Sequence, residues 1–323
     1  MCPSSQAEAS MTGSQSTRRS ADKIDPEQLT IVPLRHPWRW VAVALVLVSV
    51  AGMIRSAISN PEFQWPIVAQ YLFNPLILDG LWQTVLITAV VMALATLGGT
   101  IAALMMLSPS KLLSVPAAAF VWFFRGTPAL VQLIIWYNLS IVVKDITLWL
   151  PGVGTVYSVS TNDIMTPLVS AIVALSLHEA GYMAEIVRSG LKSVNKGQYE
   201  ASACLGMNPS LALRRIVLPQ AMRIIIPPTG NETINLLKTT SLVSIIAVGD
   251  LLYSAQSIYA RTFETIPLLL VVSFWYLAVV SIMSGGQFYL EKHFSRDEHR
   301  INPGITRAIL GNLAKIGRKE ALA

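Results

Sequence analysis

The feature that most constrains this chain is the run from Leu81 to Leu107, which contains no charged residue. A helix needs about 20 apolar residues to cross the hydrocarbon of a bilayer. That run is long enough, and it has company. Comparable apolar stretches lie at Trp38–Ile58, Ala117–Val143, Pro167–Val187 and Ile266–Leu290. A soluble domain carries about 25% charged residues. This chain of 323 residues carries 13%, and 53% of it is hydrophobic. Within lipid, backbone N–H and C=O groups must be satisfied inside their own segment, which favours helices. The expected fold class is an all-α polytopic membrane protein.

A further crossing is harder to place. Ser241–Ala255 is short for a full crossing, and the apolar Ile224–Pro228 before it is followed by the polar insert NETINLLKTT. Within and beside that insert, Asn231, Asn235, Lys238 and Leu242 recur at helical spacing, and Glu232, Asn235 and Thr239 lie on an overlapping face. One polar stripe on a helix is compatible with a span that starts near Ile224. The other reading leaves 228–238 in the cytosol and makes the crossing short. With the longer span there are six transmembrane helices. Charge sets their direction: 20 of the 24 Lys and Arg fall on one side of this arrangement, counting Lys111 and Arg125 at the turn between the second and third spans. By the positive-inside rule both termini are cytoplasmic. The net charge of +6 then follows from topology and calls for no nucleic acid.

The rest of the chain falls around these spans. Residues 1–37 are polar and are expected to be a disordered cytoplasmic N-terminus. Residues 292–323 form a basic cytoplasmic tail. Residues 59–79, with Pro61, Pro66 and Pro75, and residues 144–166, with Pro151, Gly152 and Gly154, are expected as outside loops. The Gly98-Gly99 pair allows close helix packing. Cys2 and Cys204 are the two cysteines, and no structural disulfide is expected.

The stretch around which the chain is organised is polar: GQYEASACLGMNPSLALRRIVLP, from Gly197 to Pro219. Asn195 can cap a short helix, Gly206 can stop it as the residue after the C-cap, and Asn208-Pro209 can start a second helix. Leu218-Pro219 is expected to end that second helix, since a residue before proline is pushed out of the α region. The reading is helix, glycine turn, helix.

These residues also carry a resemblance. Glu200, Ala201, Ser202, Gly206, Ile216, Leu218 and Pro219 fit the pattern EAA-x3-G-x9-I-x-L-P, with Ser202 in place of the second alanine. This is similar to the EAA loop of permease subunits of type-I ABC importers. Gly80–Thr84, Phe124–Pro128 with Leu130–Leu133, Tyr182–Arg188, Gly230–Glu232 and Leu237–Ser244 resemble the polar amino-acid permease family within that class. The resemblance implies a permease core of five helices over 80–291, with 38–58 as an added N-terminal helix. It implies a coupling loop at about 195–219 that docks on an ABC ATPase dimer through Glu200, Ala201, Ser202, Gly206, Ile216, Leu218 and Pro219. It further implies an extracytoplasmic solute-binding protein, a second permease copy (identical or paralogous), and import of polar amino acids or opines across the bacterial cytoplasmic membrane.

The chemistry is consistent with that division of labour. No G-x4-G-K-[ST] phosphate loop occurs, so the chain is expected not to be an enzyme and to bind no cofactor, with ATP and Mg held by the partner ATPase. His36, His178, His293 and His299 are scattered, and no metal site is expected. Candidates to line the solute pathway are His178, Glu179 and Glu185 in the fourth span, and Asn231, Glu232, Asn235 and Lys238 in the fifth. Glu179 can receive an ammonium group and Lys238 a carboxylate. Equally, Glu179 or Glu185 can pair with Lys238 between helices. Arg125, at the membrane interface, is expected to be a positioning residue for the lipid surface or loop rather than a ligand. Two rival functions remain: an ABC permease for another solute, and a carrier driven by an ion gradient with these carboxylates as its ion sites.

Overall fold

The computed structural model describes residues 37–152 and 154–294. The expectation of disorder over most of 1–37, and most of the tail at 292–323, lie outside the described residues.

The chain divides into two units, Met1–Ser59 and Asn60–Ala323. In the first, α1 (Pro37–Ser59) is a single helix of 23 residues. Its apolar side chains, Val41, Leu45, Val48 and Ile58 among them, point outward on every side. A helix that is apolar all round is suited to lipid.

The second unit opens with a 3-10 turn at Pro61–Phe63 and α2 (Trp65–Leu72), so residues 59–79 are largely helical. Next comes α3 (Pro75–Leu107), which starts where Asn74 accepts the Leu76 N–H at 2.9 Å and proline takes the first helical position. The same device opens α8 (Pro167–Ser193), where Thr166 accepts from Val169. Between them lie α4 (Lys111–Gly126), α5 (Ala129–Tyr137), α6 (Leu139–Val142), β1 (Asp145–Leu150), β2 (Gly154–Ser160) and α7 (Thr161–Ile164). The expected outside loop at 144–166 is therefore a β-hairpin with antiparallel register Asp145 to Ser160, closed by a short helix.

After α8 follow α9 (Lys196–Cys204), α10 (Pro209–Ala212), a π-helical stretch Leu213–Val217 and α11 (Leu218–Thr239). A 3-10 stretch Thr240–Ile246, α12 (Leu251–Thr262) and α13 (Thr265–Phe294) complete the chain. Among the described residues four helices are long and apolar enough to cross a membrane: α1, α3, α8 and α13. Two bent pairs raise that number to as many as six: α4 with α5, bent by 104°, and Pro209–Ile246 with α12, bent by 43°.

Two expectations need correction. The third span is not one helix over Ala117–Val143. Pro128 disfavours α geometry at Thr127, whose φ of −111° and ψ of 143° are extended, and the chain turns there. The second loop helix does not end at Leu218-Pro219. Its backbone stays helical through both residues, and a π-helical stretch upstream takes up the proline. The insert NETINLLKTT is helical throughout, within α11 and the first 3-10 residue, and lies in the first part of the second bent pair.

At the centre lies α8, packed against α3, α4, α5 and α11. Small residues let α3 come close: a Cβ placed on Gly99 would lie 2.6 Å from Met183 Cβ. Ile87, Val91, Leu133, Leu175, Met183 and Leu236 fill this core. A second cluster joins α2, α3, α12 and α13 through Val68, Ile77, Leu251, Leu268 and Val271. Where the last bent span breaks, Asp250 accepts the Tyr253 N–H at 2.9 Å, and Thr84 Oγ1 accepts the Leu251 N–H at 3.0 Å. The free amides at the start of α12 are thereby tied to α3.

Candidate coupling loop and translocation site

The elbow of the chain is built by its caps. Asn195 Oδ1 accepts the Gly197 N–H and Asn208 Oδ1 the Leu211 N–H, each at 2.8 Å. Gly206 has a φ of +70°, its N–H bonds Ala203 O at 3.0 Å, and the Met207 N–H bonds Ser202 O at 3.1 Å. That pair of bonds closes α9 as a Schellman turn, which favours glycine at that position.

The seven motif residues do not share one role. Glu200, Ala201 and Gly206 are exposed, as are Leu218 and Pro219, while Ile216 is half-buried. Ser202 is only 2% exposed, and its hydroxyl donates to Gln198 O and Tyr199 O at 2.8 Å each. Its side chain thus faces inward and holds α9, and the outward surface consists of its neighbours. Tyr199 ties the elbow to the end of α8 by donating to Leu191 O at 3.3 Å.

A second constellation lies near the middle of α8. Glu179 is 5% exposed, and its Oε1 has no hydrogen-bond partner, as is true of His178 Nδ1 and Ser176 Oγ. Glu232 on α11 is half-buried, and its carboxylate is close enough to Glu179 for the two to repel. A carboxylate at bilayer depth costs several kcal/mol unless something offsets it. Two carboxylates within reach of each other's field favour a cation near them.

The inter-helix pair considered from sequence is not formed. Glu185 is bound to Arg188, three residues on along its own helix, through Arg188 Nε at 2.9 Å and Nη2. Lys238, Asn231 and Asn235 are exposed, so the polar stripe of α11 is split, with Glu232 turned inward and the other three outward.

Arg125 also departs from expectation. It ends α4, far along the helix from Lys111, and its guanidinium lies 5.3 Å from the centre of the Tyr182 ring. It is therefore a neighbour of the α8 site and does not belong to the turn at Lys111. A residue that sequence reasoning passed over, Gln132, is 3% exposed and holds the α4–α5 break. Its Nε2 donates to Phe124 O, Thr127 O and Thr127 Oγ1 at 3.0, 3.1 and 2.6 Å. The signal was available: a lone amide in an apolar run, one turn past a proline.

A membrane-embedded bundle with broken spans, an interior carboxylate pair and an exposed helical elbow has the build of a transport subunit. The chain belongs to the family of inner membrane components of binding-protein-dependent transport systems, which it matches over residues 95–296. It is 43% identical over 281 residues to the arginine transport system permease protein ArgU of Corynebacterium glutamicum, covering 87% of each chain. It is 34% identical to the glutamate/aspartate import permease protein GltK of Escherichia coli, over 68% of this chain and 92% of that one. Among solved structures it resembles an amino acid ABC transporter crystallised with histidines. The TM-score there is 0.60 at 29% identity, over 70% of this chain and 98% of the other.

Proposed function

We propose that this chain is the permease subunit of an ATP-driven importer of polar amino acids, cationic ones included, in the bacterial cytoplasmic membrane. The observation that carries this reading is the elbow. Glu200, Ala201 and Gly206 stand exposed on a capped helical turn whose second helix runs on into α11, the helix that bears Glu232. A push on the elbow thus reaches the carboxylate pair through continuous helix, and an autonomous carrier has no need of such a part. Glu179 and Glu232 receive the solute's cationic group, and Arg125, which lies over Tyr182 one turn along α8 from Glu179, is the candidate for its carboxylate. The 43% identity to an arginine permease over most of both chains supports the solute class.

The partners in this reading are an ABC ATPase dimer that holds ATP and Mg, an extracytoplasmic solute-binding protein and a second permease copy. The core is 80–291, the helix at 38–58 is an addition, and both termini are cytoplasmic. The test is reconstitution of the permease with its ATPase and binding protein in liposomes, followed by uptake of labelled arginine. Uptake should require ATP and persist after ion gradients are collapsed. Glu200→Lys and Gly206→Pro should lose both the co-purifying ATPase and uptake, with the permease still folded. Uptake that follows a proton or sodium gradient without any ATPase would overturn the proposal in favour of a gradient-driven carrier.

A further inference from the structure

From Pro209 to Thr239 the backbone is helical without interruption, yet it changes type in the middle. The cause lies at Pro219. In an α-helix residue 219 would donate to the carbonyl of Arg215, but proline has no N–H and its ring crowds that carbonyl. The chain answers with the π-helical stretch Leu213–Val217, in which the Leu218 N–H bonds Leu213 O, five residues back. Gln220 adds a second support: its Nε2 donates to Ile216 O at 2.9 Å, a carbonyl on the edge of the altered ladder.

The extra residue has a consequence for register. The buried positions are Ala212, Val217, Ala221 and Ile225, spaced by five, four and four. In an unbroken α-helix one residue is a turn of about 100°. Only the π-helical insertion keeps Ala212, on the loop side, on the same buried face as the three that follow. The two flanks are held to α8 unequally, by close packing downstream and by one side-chain hydrogen bond upstream. Downstream, a Cβ on Gly190 would lie 2.3 Å from Ile225 Cγ1, and upstream Tyr199 bonds Leu191 O. Between those contacts Arg214 and Arg215 are exposed, so no packing holds the π-helical stretch from outside.

We propose that Leu213–Val217 is the hinge between the coupling loop and α11, and that Pro219 and Gln220 are the positioning residues that hold it in π-helical form. The two act through the backbone, so that the loop can turn against the span while the span stays packed on α8. This rests on the coupling reading above.

Cys204 is exposed and lies on the loop side of the hinge, which makes it a natural labelling site. With Cys2→Ser and Ile224→Cys, spin labels at 204 and 224 report the distance across the hinge in the assembled transporter. Between the nucleotide-free and ATP-trapped states the distance should shift, and Pro219→Ala should abolish the shift. Gln220→Leu, which removes only the carbonyl cap, should reduce it. Solute imported per ATP hydrolysed should fall about fivefold or more in Pro219→Ala, the lower range of coupling between sites. Labels that do not move while the ATPase remains bound and uptake proceeds would overturn the hinge alone. So would an equal shift in all three chains. Failure of the chain with an unaltered hinge to bind any ATPase would overturn the coupling reading, and the hinge with it.

Discussion

Gly98 and Gly99 are neighbours in sequence and opposites in surroundings, so replacing each in turn by alanine tests how α3 meets α8. At Gly99 the new Cβ would lie 2.6 Å from Met183 Cβ, 2.8 Å from Ala184 N and 2.9 Å from Ala180 O. Non-bonded carbons prefer about 3.5–4.0 Å. The helices must therefore part by about 1 Å, because two of the three atoms are backbone and cannot rotate away. Overpacking costs about 1–3 kcal/mol and occasionally more, and at this site it also loosens the contacts that hold Glu179 in place. At Gly98 the new Cβ meets only Ala180 Cβ, at 3.6 Å, which is ordinary contact. Alanine there is expected to be neutral, or to gain up to about 1 kcal/mol of helix preference. The helix preference is gained at both positions and cancels, so Gly99→Ala should be less stable than Gly98→Ala by about 1–3 kcal/mol, read from unfolding titrations in mixed micelles. Gly99→Ala should also lose uptake while Gly98→Ala keeps it. Equal stability of the two variants would refute the close packing of α3 on α8.

Two further predictions concern buried polar groups. Thr84→Val removes the oxygen that accepts the buried Leu251 N–H and should cost about 1–3 kcal/mol in the same titration, whereas Thr84→Ser should lose much less; a Val variant as stable as the parent would contradict the bond. Glu179→Gln keeps the shape of the side chain and removes its capacity to ionise, and should lower arginine uptake about tenfold or more with stability retained, the scale of one hydrogen bond to a charged group. Unchanged uptake in that variant would remove Glu179 from the solute's route.

What was legible in the sequence was chemistry that acts within a few residues. Asn195, Gly206, Asn208 and Pro209 each satisfy a local backbone demand, and each sits in the structure where such a demand arises. Pro128 and Pro219 show how such a rule can divide. Both are prolines in apolar or amphipathic helical sequence, and both remove an N–H and crowd a carbonyl. At Pro128 the chain yields by extending Thr127 and turning through 104°. At Pro219 it yields by widening the helix over the five preceding positions that end at Val217 and carrying on.

The difference lies in what surrounds each proline. Gln132 folds back to bond the carbonyls of Phe124 and Thr127 and so stabilises the turn. Ala212, Val217 and Ala221 are buried on one face, and a turn at 219 would pull that face apart. The same limit applies to the charges. Periodicity places Glu185 and Lys238 on helices, but not on facing sides, and Arg188, only three residues away, had the shorter reach to Glu185. Glu179 had no such neighbour on its own helix. Its burial beside Glu232 comes from the contact of α8 with α11, which no spacing within either helix announces. The elbow and Glu232 nevertheless share one run of helix, from Pro209 to Thr239, so two features that periodicity treats separately belong to one continuous backbone.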